Sequence, residues 1–402
     1  MSDEAAAPPL PLEGVGVLEF TQNIMGPSAG LILADLGADV IKIEPAPEGE
    51  STRGLKGFAA GFFGYFNRNK RSLAVDLKRP AGRALVHRLA ATSDVVLENY
   101  APGTMDRLGC GYEPLRALNP RLVYCALKGF LSGPYEHRPA LDEVVQFMGG
   151  LAYMTGPPGQ PLRAGTSVVD IMGGAFAVIA ILAALKERER TGKGQLVKSA
   201  LFESTVFMMG QHMAGEAIIG EEMQPMPARR GAWGVYQCFA TRDGEQLFVA
   251  VTSNNHWRRF CAEFDRPDLL ADARLASNED RVAARDWFIP IIAAHLARYD
   301  KADIVAKCEA AQIPYAPVAK VADLFADPHL NASGALLDAG LAGYGRTKLP
   351  ALPIEMNGRR TTLRRDPPRI GEHSRAILLA AGFGEDEIAA LAADGVIAER
   401  GA

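Results

Sequence analysis

The sequence predicts an α/β protein: a large domain on a parallel sheet, then a smaller α+β domain, then a C-terminal segment that returns to the first. Three observations lead there. Short β-branched runs alternate with helical stretches through the first half of the chain, a Pro- and Arg-rich connection at 225–231 (PMPARRG) ends the alternation, and a hairpin followed by helices opens what comes next. The expected division is a flexible tail at 1–10, the large domain at 11–224, the small domain at 225–330 and the return at 331–402.

The elements follow in order. Residues 14–20 (GVGVLEF) read as a buried strand, residues 27–36 carry small and apolar side chains at helical spacing, and after Gly37 residues 39–44 form a second strand. This βαβ pattern recurs with a helix at 83–92, a strand at 94–98 (DVVLE), a short helical turn at 113–118 and a strand at 122–127. A helix at 173–190 is apolar on nearly every side until KERER, so it should cross the core and surface at its charged end. The strand-like LVKSAL and a Met-rich helical stretch through Met213 come next. In the small domain, 235–240 and 246–251 flank Arg242-Asp243-Gly244 as a hairpin, and helices run on to about Phe325. Residues 343–368, rich in Gly, Pro and Arg, suit an extended return before two helices at 374–381 and 385–393.

Of the 402 residues, 48% are hydrophobic and 22% charged, a globular composition, and the formal net charge of -4 supplies no basic field to hold nucleic acid. The most apolar run, 171–185, is interrupted by Gly173 and Gly174 and falls short of the ~20 residues of a membrane span. Two acids and no base in the opening twelve residues do not suit a secretory or mitochondrial signal. Cys110, Cys125, Cys238, Cys261 and Cys308 form no CxxC pair and are odd in number, as expected of reduced thiols in a cytoplasm. The histidines show no HxxxH or HxE spacing, so no metal site is expected. Gly14-Val15-Gly16 has no third glycine at a helix start, and neither a P-loop nor a GxSxG elbow occurs.

Asp170 stands just before Ile171-Met172-Gly173-Gly174 and is expected at the N-cap of the long helix. Aspartate is favoured there because it accepts backbone N–H bonds. The same place could serve chemistry: the helix's positive end would keep the carboxylate's pKa low, and the ion could attack a thioester carbonyl while glycine amides approach the oxyanion.

The segments VLEF, GPSAGLILADLGADVIKIE, NRNKRSLAVDLK, ENYAPGTMDRLG, SVVDIMGG and TGKGQLVKSALFES follow one another in a single order, and LAAGFGEDEIAALAADGVI extends the pattern to the C-terminus. In these motifs the sequence resembles the class III CoA-transferases, the family of formyl-CoA and carnitine CoA-transferases. The resemblance implies a Rossmann-like large domain and an interlocked homodimer in which each return segment threads its partner. It implies an acyl-CoA thioester and a small carboxylic acid as substrates, with no metal or redox group and no tightly bound cofactor. Asp170 becomes the nucleophile that carries an aspartyl-CoA thioester, and Asp142 in PALDEVVQ a second active-site acid. Lys42, Leu73, Asn99, Tyr100 and Arg107 fall where the family holds coenzyme A, Lys42 on its phosphate. Arg68, Lys70 and Arg71 form a basic cluster that either meets phosphate or is simply solvated.

Racemases of the same fold carry a histidine where this chain has Leu141, which cannot move a proton, and His137 is offset from that place. A CoA-binding protein without catalysis is the remaining alternative. PARRGAWG stands where formyl-CoA transferases have a glycine-rich loop, which implies a different acid. Arg229 and Arg230, or Arg138 beside His137, or Arg163, could clamp a second carboxylate bidentately. The stretch from Lys128 to Gly174 is most similar to the branch acting on C4 to C5 dicarboxylic acids, including transfer of CoA between the two carboxyls of mesaconate.

Overall fold

The computed structural model describes residues 9–229 and 231–399. The chain divides into two compact units, one running to Pro227 and resuming at His329, the other Ala228–Pro328. In the first, β1 (Gly16–Phe20), β2 (Asp39–Glu44), β3 (Arg71–Val75), β4 (Val95–Glu98), β5 (Val123–Lys128) and β6 (Leu196–Ala200) lie parallel in the order β3-β2-β1-β4-β5-β6. A short strand, Ile397–Ala398, closes the β3 edge antiparallel. The strand order reverses between β1 and β4, and in open α/β sheets the crevice at the carboxyl ends of such a pair is where ligands bind.

Alternate side chains feed two cores. Val17, Val40, Val95 and Val123 face the first helix (Met25–Asp35) and the long helix (Val168–Thr191), while Leu18, Ile43, Leu73 and Val96 face the helix Pro80–Ala90 and the C-terminal helices Ser374–Ala380 and Glu385–Ala393. Being buried on both faces is why these strands read as near-continuous apolar runs. β3 and the Ile397–Ala398 edge lie outside the sequence expectations, because five residues that open Arg-Ser show no apolar run and their pairing is decided by β2.

The long helix begins five residues ahead of its expected start and ends at Gly192, whose φ of +70 stops it. By length and apolarity alone it could cross a membrane. Its Val169, Gly173, Gly174, Ala177, Val178, Ile181 and Ala184 side is instead buried in the protein core. Contact with the first helix is close: a Cβ at Gly174 would lie 2.0 Å from Ser28 Oγ and 2.8 Å from the Met25 carbonyl oxygen. Only glycine permits that approach.

In the second unit, β7 (Val235–Ala240), β8 (Gln246–Val251) and β9 (Tyr315–Pro317) form an antiparallel sheet in that order, packed on Trp257, Phe260, Phe288, Ile292 and Ile304. Back in the first unit, the extended return contains an antiparallel hairpin, Leu336–Leu341 with Gly345–Pro350.

Candidate active site

Asp170 occupies the third position of the long helix; the N-cap is Ser167. The expectation of a capping Asp170 fails because two further residues of the preceding stretch turn helical. The cap comes from elsewhere in the chain: Asp142 Oδ2 accepts hydrogen bonds from the amides of Val169 at 2.9 Å and Asp170 at 3.1 Å. That leaves the Asp170 carboxylate with no hydrogen bond or ion pair among the described residues.

Its electrostatics also reverse the expectation of a low pKa. Burial pushes the Asp170 carboxyl up to about 7, nearby Asp142 adds to the rise, and Arg163 opposes it. Desolvation outweighs the helix field here because the amides that carry the field are already committed to Asp142. A carboxylate with this pKa is ionised in half the molecules near neutrality and is more basic, hence a stronger nucleophile, than an exposed aspartate. The glycines expected to donate to an oxyanion serve the fold instead. Gly173 and Gly174 sit inside the helix against Met25 and Ser28, where they permit packing.

Asp142 is held in turn. It opens the helix Asp142–Met148, and Gln146, one turn on, donates from Nε2 to Asp142 Oδ1. Gln146 Oε1 accepts from Ala164 N at 2.8 Å, Arg163 Nε donates to Ala164 O at 2.9 Å, and the Arg163 guanidinium pairs with Glu143. A continuous set of bonds therefore links Arg163 to the start of the helix that carries Asp170. Sequence reasoning missed Gln146 and Glu143, although the Asp-Glu-x-x-Gln spacing on one helix face was a readable sign.

The coenzyme A candidates divide. Asn99, at the carboxyl end of β4, exchanges two hydrogen bonds with the Gln22 backbone beyond β1, at 2.9 and 2.8 Å, and so spans the crevice where the strand order reverses. Tyr100 follows it half-buried, with burial pushing its hydroxyl up to about 12. Arg107 is exposed and donates to Thr104 Oγ1. Lys42 and Leu73 must be reassigned: Leu73 is core, and the Lys42 ammonium is fully buried against Glu50 at 2.6 Å and Glu19 at 3.2 Å. Neither side chain is open to a phosphate. Of the basic cluster, Arg68 is buried on Asp35 and Lys70 on Glu19, while Arg71 is partly exposed and paired with Asp39 at the surface.

Among the substrate candidates, His137 is exposed and lines a 350 Å³ cleft with Tyr112, Tyr124, Lys128 and Lys198, and Arg138 lies over the Tyr135 ring at 4.7 Å. Arg229 is exposed near the start of the second unit, and Arg230 lies outside the described residues. Of the arginines proposed as a clamp within the first unit, Arg163 is the one whose charge acts on Asp170.

Comparison with known proteins identifies the family. The mouse succinyl-CoA:glutarate CoA-transferase is 34% identical over 96% of this chain and 90% of its own. The succinyl-CoA:mesaconate CoA-transferase of Haloarcula hispanica is 33% identical over 93% and 97%. A crystal structure of a CAIB/BAIF family protein from Brucella suis has a TM-score of 0.82 at 34% identity, covering 93% of this chain and 100% of that one. Residues 12–374 match CoA-transferase family III, and the chain, an enzyme that transfers coenzyme A, belongs to that family.

Proposed function

We propose that this enzyme moves CoA between C4 to C5 dicarboxylic acids through an aspartyl-CoA thioester on Asp170. One observation carries the mechanism: a partly buried carboxylate without a partner at the start of a core helix whose first amides are held by Asp142. The ionised Asp170 attacks the thioester carbonyl of the donor, the C–S bond breaks, and a mixed anhydride forms as CoA thiolate leaves. The thiolate attacks the Asp170 carbonyl of the anhydride and expels the donor acid as its carboxylate. An acceptor carboxylate then attacks the aspartyl thioester, thiolate leaves again, and its attack on the acceptor acyl group releases the new acyl-CoA and restores Asp170. Each step exchanges one acyl oxygen or sulfur for another, so protons balance without an external acid. Mesaconyl-CoA C1 to C4 transfer is the same cycle with the acid retained between halves.

The relatives support the dicarboxylate class, since their names pair succinyl-CoA with glutarate and mesaconate. Arg163 supports it from within the chain: with Nε on Ala164 O and one terminal nitrogen on the partly exposed Glu143, the fork keeps donors for a carboxylate placed beside Asp170.

Turnover of succinyl-CoA or mesaconyl-CoA in hydroxylamine or borohydride should leave a modified Asp170 peptide in mass spectrometry. An unmodified Asp170 under turnover would sink the covalent route. Arg163→Gln should raise KM for dicarboxylic acceptors by about 10- to 100-fold, the loss of a charge-assisted bond of about 1.5–3 kcal/mol, and spare monocarboxylic acids. Equal losses for both classes would remove Arg163 from specificity.

A further inference from the structure

A buried group of four charges lies under the loop that joins β1 to the first helix. Glu19, Lys42 and Lys70 are fully buried and Glu50 nearly so. Two acids face two bases, so the group is neutral as a whole: Lys42 meets Glu19 and Glu50, and Lys70 meets Glu19 at 2.8 Å. Burying ion pairs is weak evidence of stabilisation, because desolvation of the charges offsets most of their attraction. What these charges hold is more informative.

Each base also reaches the backbone of this loop or of the first helical turn after it. Lys42 Nζ donates to Thr21 O at 3.0 Å, Lys70 Nζ to Pro27 O at 3.0 Å, and Glu50 Oε1 accepts from Asn23 N at 2.9 Å, where Asn23 has a φ of 64. A left-handed asparagine is tolerable but strained, and the bond to Glu50 fixes it there. Asn99 holds Gln22 between those anchors. The loop is therefore pinned at Thr21, Gln22 and Asn23, and the first turn of the helix after it at Pro27, at the carboxyl end of β1 where the strand order reverses. Met25 and Ser28, in the same first turn as Pro27, are the residues against which Gly173 and Gly174 of the nucleophile's helix pack. Glu19 is itself pressed on the first helix, since a Cβ at Gly30 would lie 1.8 Å from its Oε2.

We propose that Glu19, Lys42, Glu50 and Lys70 are positioning residues that set the 21–24 loop and the first helix against the helix bearing Asp170, and that Lys42 acts on the rate of acyl transfer and not on the binding of CoA phosphate. The proposal rests on Asp170 as the nucleophile. A displacement of about 1 Å in a reacting group can lower a rate about 100-fold, so loosening this brace should appear in kcat.

The test uses the full chain with Lys42→Met, Glu50→Gln and the charge-balanced double variant, each checked for native circular dichroism. Donors are succinyl-CoA and the succinyl thioester of pantetheine, which lacks the nucleotide phosphates. In folded variants kcat should fall about 100-fold, KM for succinyl-CoA should stay near the wild-type value, and the preference for the CoA over the pantetheine thioester should be retained. A raised KM for succinyl-CoA together with a lost preference would make Lys42 a phosphate ligand and overturn the proposal, as would a folded Glu50→Gln with wild-type kcat. If Lys42→Met alone fails to fold, Glu50→Gln and the double variant decide. Hydroxylamine trapping on the wild-type enzyme separates the two readings: no adduct at Asp170 with the kcat losses intact would remove the nucleophile and leave the brace.

Discussion

The large unit contains two groups of buried acids that respond to burial in opposite ways. At the ends of β1 and β2, Glu19 is fully buried, yet Lys70 and Lys42 outweigh the desolvation and hold its carboxyl below the usual range. At the start of the long helix, burial and the neighbouring Asp142 carry Asp170 up to about 7, with only Arg163 opposing. Desolvation acts on both; the difference is the partner. A charge that shapes the chain is neutralised on the spot, whereas the carboxyl proposed to attack a carbonyl is left without a bond that the transition state would have to break.

Three changes would break or sharpen that contrast. The largest effect is expected from Asp170→Asn, which should lower transfer by on the order of 10⁴-fold, the scale seen when an essential catalytic group is removed, and abolish the trapped adduct. It should also stabilise the fold. The carboxyl titrates at 3.8 in its unperturbed form and about 7 when folded. Its penalty is therefore absent below about 4, grows as pH rises between these values, and is complete above 7. Thermal melts should show the variant gaining over wild type at pH 8 and not at pH 4; an equal gain at both would assign it to packing.

A smaller effect is expected from Gly174→Ala. Overpacking typically costs about 1–3 kcal/mol, against about 1 kcal/mol gained from helix propensity, so a net loss of roughly 1 kcal/mol should appear in the urea midpoint, with kcat reduced as Met25 and Ser28 shift. A stabilised variant would mean the two helices separate easily. The smallest effect is on pH. For the wild-type enzyme kcat/KM should rise through about pH 7 and level off as Asp170 ionises. Asp142→Asn removes a neighbouring negative charge while keeping an amide acceptor, so the rise should move to lower pH. A move to higher pH would show that helix capping by Asp142 matters more than its charge.

Some of this is legible in the amino-acid order. The strands at 39–44, 235–240 and 246–251 and the helix at 385–393 coincide with the observed ones. Each carries its own signal: β-branched runs, a turn at Arg242-Asp243-Gly244, or apolar residues at helical spacing. Asp170 stands out from its motif, but the direction of its pKa does not, because the helix end alone gives no sign of the distant acid that occupies it. Sequence position puts Lys42 on phosphate, and the structure does not. Its partners lie 23 residues before it, at Glu19, and in a loop after β2, at Glu50, and nothing local marks either as a partner.

By itself, then, the sequence determined what depends on neighbours along the chain: the period of each strand and helix, the residues available for chemistry, and membership of a CoA-transferase family. Tertiary structure alone decided which charges neutralise one another and which stay free. That choice depends on contacts across the chain, such as Asp142 with Asp170 over 28 residues and Lys70 with Glu19 over 51, and on the dielectric that burial creates around them. Neither is a property of any local stretch.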